Sequence, residues 1–104
     1  MTDYVELLLT CADQQEAEAI ADALLEKKLI ACAKFLPVTS KFQWHDKIET
    51  NDEVLVMMDS RADDFMEVEA VVADMHSYAT FVLKAVPVAQ ISDRAAEWLQ
   101  DSLE

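Results

Sequence analysis

The chain has 104 residues, of which 53% are hydrophobic, so it can build one compact core and is too apolar to be disordered. Eight Lys and Arg against 21 Asp and Glu give a net charge of -13 at pH 7. Such a surface repels phosphate backbones and anionic lipids, which argues against nucleic-acid and membrane partners. No apolar run approaches the roughly 20 residues that cross a bilayer, and residues 1–10 lack a basic n-region. We therefore expect one soluble, cytoplasmic domain over residues 1–104.

Glycine is absent from the sequence. Glycine-rich loops that cradle phosphates need residues without a Cβ, so nucleotide sites of that kind are excluded. Left-handed turns are expected to use Asn, Asp or Ser instead. The two cysteines, Cys11 and Cys32, are too few for a disulfide framework.

The first third of the chain predicts a strand, a helix and a second strand. Tyr4–Thr10 is apolar and β-rich, which is typical of a central strand. Asp13 and Glu16 have the spacing of a capping box, and apolar residues recur at helical spacing behind them. Leu29–Val38 returns to strand character, and Pro37 should mark a bulge or a sheet edge.

The middle of the chain predicts a long hairpin from Ser40 to Met58. Aromatic and polar residues alternate around Phe42 and Trp44, so one face is aromatic. The turn is expected at residues 45–47, with a kink or bulge at Asn51-Asp52. Two unrelated short strands joined by a loop are the alternative.

The last part predicts a helix, a strand and a short C-terminal helix. Ser60 and Asp63 repeat the capping spacing before the second helix. One apolar stripe of that helix is predicted at Phe65, Val68, Val72 and Met75. Ala79–Val88 is the last strand, and Ser92 can cap a final helix whose inward-facing residues are Ala95, Trp98 and Leu99.

The predicted order is therefore β-α-β-β-α-β-α. It specifies an α+β fold, the ferredoxin-like βαββαβ sandwich, with an extended hairpin between the second and third strands and an added C-terminal helix. In this topology Cys11 and Cys32 lie at opposite ends of the sheet, beyond disulfide reach. Cys32 is expected to be a small core residue, and Cys11, at a loop mouth, is the better candidate for a reactive or metal-binding thiol.

Four segments carry a resemblance to a known family: ADALLEKKLIACAKFLPV, SKFQWHDKIE, DEVLVMMDS, and MHSY with AVPV downstream. Over nearly its whole length the chain resembles the CutA family of divalent-cation tolerance proteins, as a divergent member. The resemblance implies a ferredoxin-like protomer in a tight homotrimer, whose long hairpin reaches a neighbouring subunit. Phe42 and Trp44 would then be anchors of the trimer interface.

The family motif after the second helix is only partly present. His76 and Tyr78 match it, while Ala79 and Val82 stand where the family has carboxylates. An imidazole that binds a divalent cation usually works with a second His, a thiolate or a carboxylate. We expect at most weak binding of Cu²⁺ or another divalent cation at His76, with Cys11 as the second candidate ligand, and no required cofactor.

The hairpin turn is a second departure, since the family has Glu-Gly where this chain has His45-Asp46. Asp tolerates positive φ at modest cost, so the turn can form.

Three classes of function compete. The first is a non-enzymatic, homotrimeric cation-tolerance protein that responds to metal ions. The second is a trimeric small-ligand sensor similar in architecture to the PII signalling proteins, or a scaffold without metal binding. Tyr78 and Lys84 are its candidate cleft residues, although Lys84 also fits a solvent-facing position near a sheet edge. The third is an enzyme using Cys11 or Ser77 beside His76, which is not expected because the spacing supplies no orienting carboxylate or oxyanion hole. No protein partner is indicated.

Overall fold

The computed structural model describes residues 3–103, which form one four-stranded sheet and three α-helices. In chain order the elements are β1 (Tyr4–Cys11), α1 (Gln14–Glu26), β2 (Cys32–Trp44), β3 (Lys47–Arg61), α2 (Phe65–Met75), β4 (Leu83–Pro87) and α3 (Asp93–Ser102). The predicted order and the ferredoxin-like α+β fold are confirmed. Within residues 3–103, no helix combines the length and the hydropathy that a membrane crossing demands.

The strands are ordered β2-β3-β1-β4, and every neighbouring pair is antiparallel. β1 is therefore central, as predicted, and β2 and β4 are the edges. Pro37 lies on the edge strand β2 opposite Val54, where a missing N–H is tolerated. The sheet edge predicted at Pro37 is confirmed, and the pairing passes the proline without a bulge.

β2 and β3 pair without interruption along their whole length. β1 covers β3 only as far as Val54, so residues 38–53 form a two-stranded extension, here called the arm, that pairs with no third strand of the described chain. The hairpin predicted over Ser40–Met58 is confirmed, and it is longer than predicted because pairing already starts at Cys32. The bulge expected at Asn51-Asp52 is wrong, since the register runs through both residues without a slip.

Among the described residues, three have a left-handed backbone: Lys28 with φ 58°, His45 with φ 50° and Asp46 with φ 64°. His45 and Asp46 form the hairpin turn, and both have the positive φ that a two-residue type I′ connection needs. The His45 ring also lies edge-on to Trp44, with centroids 4.8 Å apart. The expectation that Asn, Asp or Ser would take such positions is confirmed at Asp46 and wrong at Lys28 and His45.

Lys28 ends α1 in a Schellman motif. Its N–H donates to the Leu25 carbonyl, and the N–H of Leu29 donates to the Leu24 carbonyl, each at 3.0 Å. Leu24 and Leu29 are both part of the core, which supplies the apolar contact of this motif. The left-handed position is ordinarily glycine, so this chain accepts steric strain to make the turn.

The core lies between one sheet face and helices α1 and α2. Its buried members are Val5, Leu7, Leu9, Cys11, Ala17, Ile20, Leu24, Leu29, Ile30, Val54, Val56, Met58, Val68 and Val72. The apolar stripe predicted for α2 is confirmed at Val68 and Val72, which are fully buried, and is wrong at Met75, which is 38% exposed. On α3 the inward position predicted for Leu99 is confirmed, and the one predicted for Trp98 is wrong, since this side chain is 48% exposed.

Two boundaries differ from the prediction. Ser60 does not cap α2; it is buried at the end of β3, and its hydroxyl donates to the Leu29 carbonyl at 2.7 Å. A short 3-10 turn, Ala62–Asp64, leads into the helix instead. β4 is shorter than the predicted Ala79–Val88, because residues 76–82 form an irregular segment that carries the chain from α2 to the far sheet edge.

Cys11 and Cys32 are both free, and β3 separates their strands as predicted. Cys32 is only half-buried, so its assignment to the core was wrong; its Sγ accepts a hydrogen bond from Lys34 Nζ at 3.6 Å. Cys11 is fully buried where β1 ends, rather than open at a loop mouth.

We expect Lys28→Gly to raise the free energy of unfolding by up to about 1 kcal/mol, because glycine removes the steric penalty of the left-handed backbone. Urea denaturation at fixed protein concentration measures the change. Lys27→Gly is the matched control: Lys27 has φ -81°, so glycine there should destabilise the protein. Shifts of equal sign in the two variants would contradict this account of Lys28.

Candidate functional site

Three side chains able to ligate a metal meet near the end of β1: the Cys11 thiol, the Glu16 carboxylate and the His76 imidazole. Each offers an atom that lies within 4.8 Å of the other two. Cys11 ends β1, Glu16 lies in the first turn of α1, and His76 follows the last residue of α2. The structure thus brings together the two ligands predicted from the sequence, His76 and Cys11, and adds Glu16. We call these three residues the Cys–Glu–His cluster.

The hydrogen bonds of His76 define its tautomer. Its Nε2 lies 2.9 Å from the Thr10 carbonyl oxygen, and since a carbonyl can only accept, Nε2 carries the hydrogen and donates it. Nδ1 accepts the backbone N–H of Tyr78 at 3.0 Å and lies 3.6 Å from Glu16 Oε1. The side chain is fully buried. The single lone pair of the ring, on Nδ1, is therefore already engaged by the Tyr78 N–H, on the side of the ring that is near Glu16.

Glu16 joins α1 to the segment after α2. Its Oε1 accepts the N–H of Ala12 at 3.0 Å, and its Oε2 accepts the N–H of Ser77 at 2.8 Å. Asp13 accepts the N–H of Glu16 at 2.8 Å, so Asp13 caps the helix as predicted while Glu16 bonds to the residue before the cap. Desolvation acts to raise the pKa of Glu16, but hydrogen bonds from Ser77 and Ala12, with the nearby His76, hold this pKa below its ordinary value.

Cys11 is held as a neutral thiol. Burial raises the pKa of Cys11 most, and the negative charges of Glu16, Asp13 and Glu53 raise it further, to about 12. A thiol with this pKa carries almost no thiolate at neutral pH.

Tyr78 connects the cluster to the arm. Its hydroxyl donates to Glu53 Oε2 at 2.8 Å, and its ring lies over His76 with centroids 5.0 Å apart. Phe81 stacks on the same imidazole at 5.4 Å. Burial, together with the hydrogen bond and charge of Glu53, raises the pKa of Tyr78 to about 12. Glu53 is itself only 8% exposed, so this bond ties a buried carboxylate of β3 to the segment after α2.

A groove of about 360 Å³ lies between the arm and this segment. Its lining residues are Phe42, Trp44, Glu49, Asn51, Tyr78, Ala79 and Thr80. The structure therefore brings Tyr78, predicted for a ligand cleft, next to Phe42 and Trp44, predicted for a subunit interface. Lys84 is not among the lining residues; it is exposed on β4 opposite Leu8.

Two carboxylates at this site were not foreseen. From the sequence, Glu16 is predicted only as a helix cap, and Glu53 has no predicted role. The partner of Glu16 at Ser77 is 61 positions away, which local spacing cannot reveal. A signal existed for Glu53, since it is a charged residue next to the apolar run Val54–Met58.

Glu16→Gln should lower the free energy of unfolding by about 1–2 kcal/mol, because glutamine keeps one oxygen acceptor and leaves one of the two N–H groups unpaired. Chemical denaturation provides the measurement. Glu18→Gln, the same change at an exposed position of α1, should stay within about 0.5 kcal/mol of the parent.

The effect of Glu16→Gln should also depend on pH. Because the folded-state pKa of Glu16 is lowered, its stabilisation is complete above the ordinary carboxyl value of 4.5 and is lost as pH falls through the folded-state pKa. The stabilities of the parent and the variant should therefore converge in acid. A gap that stayed constant into acid would show that the charge of Glu16 is irrelevant.

Comparisons with known proteins place this geometry in a family. The family model described as CutA1 divalent ion tolerance protein matches residues 5–102. A divalent-cation tolerance protein CutA from Archaeoglobus fulgidus is 37% identical over 98 residues, covering 94% of this chain and 96% of the relative. A solved structure described as the periplasmic divalent cation tolerance protein CutA from that organism superposes with a TM-score of 0.95 at 36% identity, covering 97% of this chain and 99% of that one.

Mouse protein CutA is 32% identical over 97 residues, which are 92% of this chain and 55% of the mouse protein. The family match runs through the sheet, the arm, the Cys–Glu–His cluster and the groove. On this evidence, the chain belongs to the CutA1 divalent ion tolerance family.

Proposed function

We propose that this chain is a non-enzymatic, homotrimeric protein of divalent-cation tolerance that binds Cu²⁺ or another divalent cation weakly at the Cys–Glu–His cluster. The observation that carries the proposal is the convergence of a thiol, a carboxylate and an imidazole within 4.8 Å, in a chain of this family. The family carboxylates replaced by Ala79 and Val82 are not needed for such a site, because Glu16 supplies one.

The donor chemistry of the cluster fits a borderline divalent cation. Thiolate and imidazole suit copper and zinc, and the carboxylate adds negative charge. The Nε2–H of His76 donates to a backbone carbonyl, as metal-ligating histidines commonly do, and this leaves Nδ1 as the ligand atom. The net charge of -13 concentrates cations around the protein. A bound cation would be held by Cys11 Sγ, a Glu16 oxygen and His76 Nδ1.

The affinity of the cluster for a cation is weak in this proposal because its ligand atoms already form other bonds. His76 Nδ1 accepts the N–H of Tyr78, both oxygens of Glu16 accept backbone N–H groups, and Cys11 holds its proton. At His76 and Cys11, ligation therefore has to displace a hydrogen bond and a proton, respectively.

Cys11 also supports the non-enzymatic part of the proposal. A thiol whose pKa is raised to about 12 is a poor nucleophile at neutral pH, and it is buried. The name of the family likewise describes ion tolerance and not a reaction. A cytoplasmic location stays a prediction, and the relative from A. fulgidus is described as periplasmic.

The homotrimer would cover apolar surface that one chain leaves exposed. On the arm, Trp44 is 49% exposed and Ile48 is 73% exposed. A ribbon of only two strands is marginally stable by itself, and its edges are open to pairing. Packing against neighbouring copies would bury Trp44 together with Phe42, and the family resemblance implies three copies.

A small-ligand sensor is the second candidate. It is favoured by the groove of about 360 Å³, which has the size and the apolar, aromatic lining of a small-molecule site. Lys84 lies outside the groove of its own chain, so its predicted role in a cleft requires a neighbouring subunit.

Calorimetric titration with Zn²⁺, which has no redox chemistry, should show binding with release of about one proton per ion, because Cys11 must lose its proton to become a ligand. Since the pKa of Cys11 is raised to about 12, the thiol stays protonated across the neutral range and higher pH favours the ligating form. The apparent affinity should therefore rise by about tenfold per pH unit between about pH 7 and about pH 9.

Cys11→Ala should abolish this binding, with Cys11→Ser as a second variant that preserves the size of the side chain better. Cys32→Ala, at the other free cysteine, should bind like the parent. Equal heats in Cys11→Ala and the parent would remove the cluster from the function. Thermal stabilisation by small metabolites, combined with no binding of Zn²⁺ or Cu²⁺, would favour the sensor.

Light scattering during size-exclusion chromatography should give three times the chain mass of 11.7 kDa at micromolar concentration. Trp44→Glu should shift the protein towards the monomer, because it places a charge in the proposed interface. Trp98→Glu is the control, at a tryptophan of similar exposure on α3, and should leave the mass unchanged. A folded monomer of the parent protein would contradict the trimer.

A further inference from the structure

The Cys–Glu–His cluster and the groove share one residue, Tyr78. Its backbone N–H donates to His76 Nδ1, and its side chain lines the groove. A neutral imidazole has one lone pair on its unprotonated nitrogen. Because Nε2–H is already engaged with the Thr10 carbonyl, Nδ1 can ligate a cation only after it releases the N–H of Tyr78.

In the contact between Tyr78 and His76, the segment after His76 can move and the imidazole cannot. His76 is fixed from two directions: its N–H donates to the Val72 carbonyl at 2.8 Å, and its ring is fully buried. Ser77, Ala79 and Thr80 are exposed and belong to no helix or strand. Segments with few buried contacts open at low free energy, so ligation should displace residues 78–80 and leave the imidazole and Ser77, whose N–H is held by Glu16, in place.

A displacement of Tyr78 reaches the arm. The Tyr78 hydroxyl donates to Glu53 on β3, and Ala79 and Thr80 continue the groove wall that faces Phe42 and Trp44. The Tyr78–Glu53 hydrogen bond holds the tyrosine in the position in which its N–H occupies Nδ1. This bond therefore stabilises the metal-free arrangement of both sites.

We propose that the groove is coupled to the Cys–Glu–His cluster: when His76 Nδ1 ligates a divalent cation, it releases the N–H of Tyr78, the Tyr78–Glu53 hydrogen bond breaks, and residues 78–80 move away from their position in the groove. This inference rests on the proposed cation binding. Coupling of this kind is reciprocal, so an apolar molecule or a neighbouring subunit that holds Tyr78 in place weakens cation binding. The shape of the groove then differs between the cation-bound and the cation-free protein.

Amide hydrogen exchange provides the direct test, with Zn²⁺ as the probe and calorimetry on the same sample. Saturation with Zn²⁺ should speed exchange of the Tyr78 amide by about tenfold or more, because that N–H loses its acceptor. The His76 amide, bonded to the Val72 carbonyl, is the internal control and should not change. In a Trp98→Phe background, the emission of Trp44 should shift along the same titration curve as the heat of binding.

Tyr78→Phe tests the link to the arm. It keeps the backbone N–H and all three ligands but removes the hydrogen bond to Glu53, so Zn²⁺ should bind about tenfold more tightly than in the parent. Tyr4→Phe is the matched control, because the hydroxyl of Tyr4 donates to the Ala96 carbonyl at 3.4 Å and not to Glu53. The Tyr4→Phe variant should bind Zn²⁺ with the affinity of the parent.

The outcomes separate the coupling from the proposed function. Binding of Zn²⁺ without a change at the Tyr78 amide or in Trp44 emission would overturn the coupling and leave cation binding standing. An affinity in Tyr78→Phe equal to or below that of the parent would overturn the role of the Glu53 bond, and with it the coupling to the arm. Absence of Zn²⁺ binding would reject the proposed function and the coupling together.

Discussion

The site depends on one carboxylate, Glu16, which binds two backbone N–H groups from separate parts of the chain. Ala12 precedes α1 and Ser77 follows α2, so the two bonds join the beginning of one helix to the end of the other. His76 lies between these attachments and reaches across to the Thr10 carbonyl. With Glu16 in place, the irregular segment 76–82 has a defined starting position and can deliver Tyr78 to the groove. A carboxylate suits this position because it offers two oxygen acceptors and carries no donor of its own.

The absence of glycine shapes the rest of the molecule in a related way. Lys28 and His45 take left-handed positions that glycine would occupy with less strain, and neighbouring contacts hold them there. At Lys28 these contacts are the hydrogen bonds of the Schellman motif and the buried pair Leu24 and Leu29. At His45 they are the paired strands on both sides and the edge-on contact with Trp44. Long-range packing therefore overrides local preference at both turns.

Local pattern was sufficient to predict the fold, because each helix and strand has its own periodicity and the ferredoxin-like order leaves few topologies. The hairpin and the separation of the two cysteines could also be predicted this way. Local pattern failed where a residue has a distant partner. Ser60 has the spacing of a cap but bonds to the Leu29 carbonyl, and Trp98 has helical spacing but lies on the exposed side of α3. The site followed the same rule: Cys11 and His76 could be named as candidates, whereas Glu16 and Glu53 became part of it only through contacts across the fold.

These contacts also explain how the Cys–Glu–His cluster could both stabilise the fold and respond to a divalent cation. A site whose ligand atoms were free would bind a cation tightly, and its structure would change little on binding. In this chain Nδ1 of His76 is already engaged, so its bond to a cation must replace a bond that holds the fold, that of Tyr78 to His76. In the proposed function, that competition would weaken cation binding and would also transmit it, because the displaced group belongs to the wall of the groove. A protein that responds to excess metal ions, rather than storing them, is well served by weak binding combined with a change of surface.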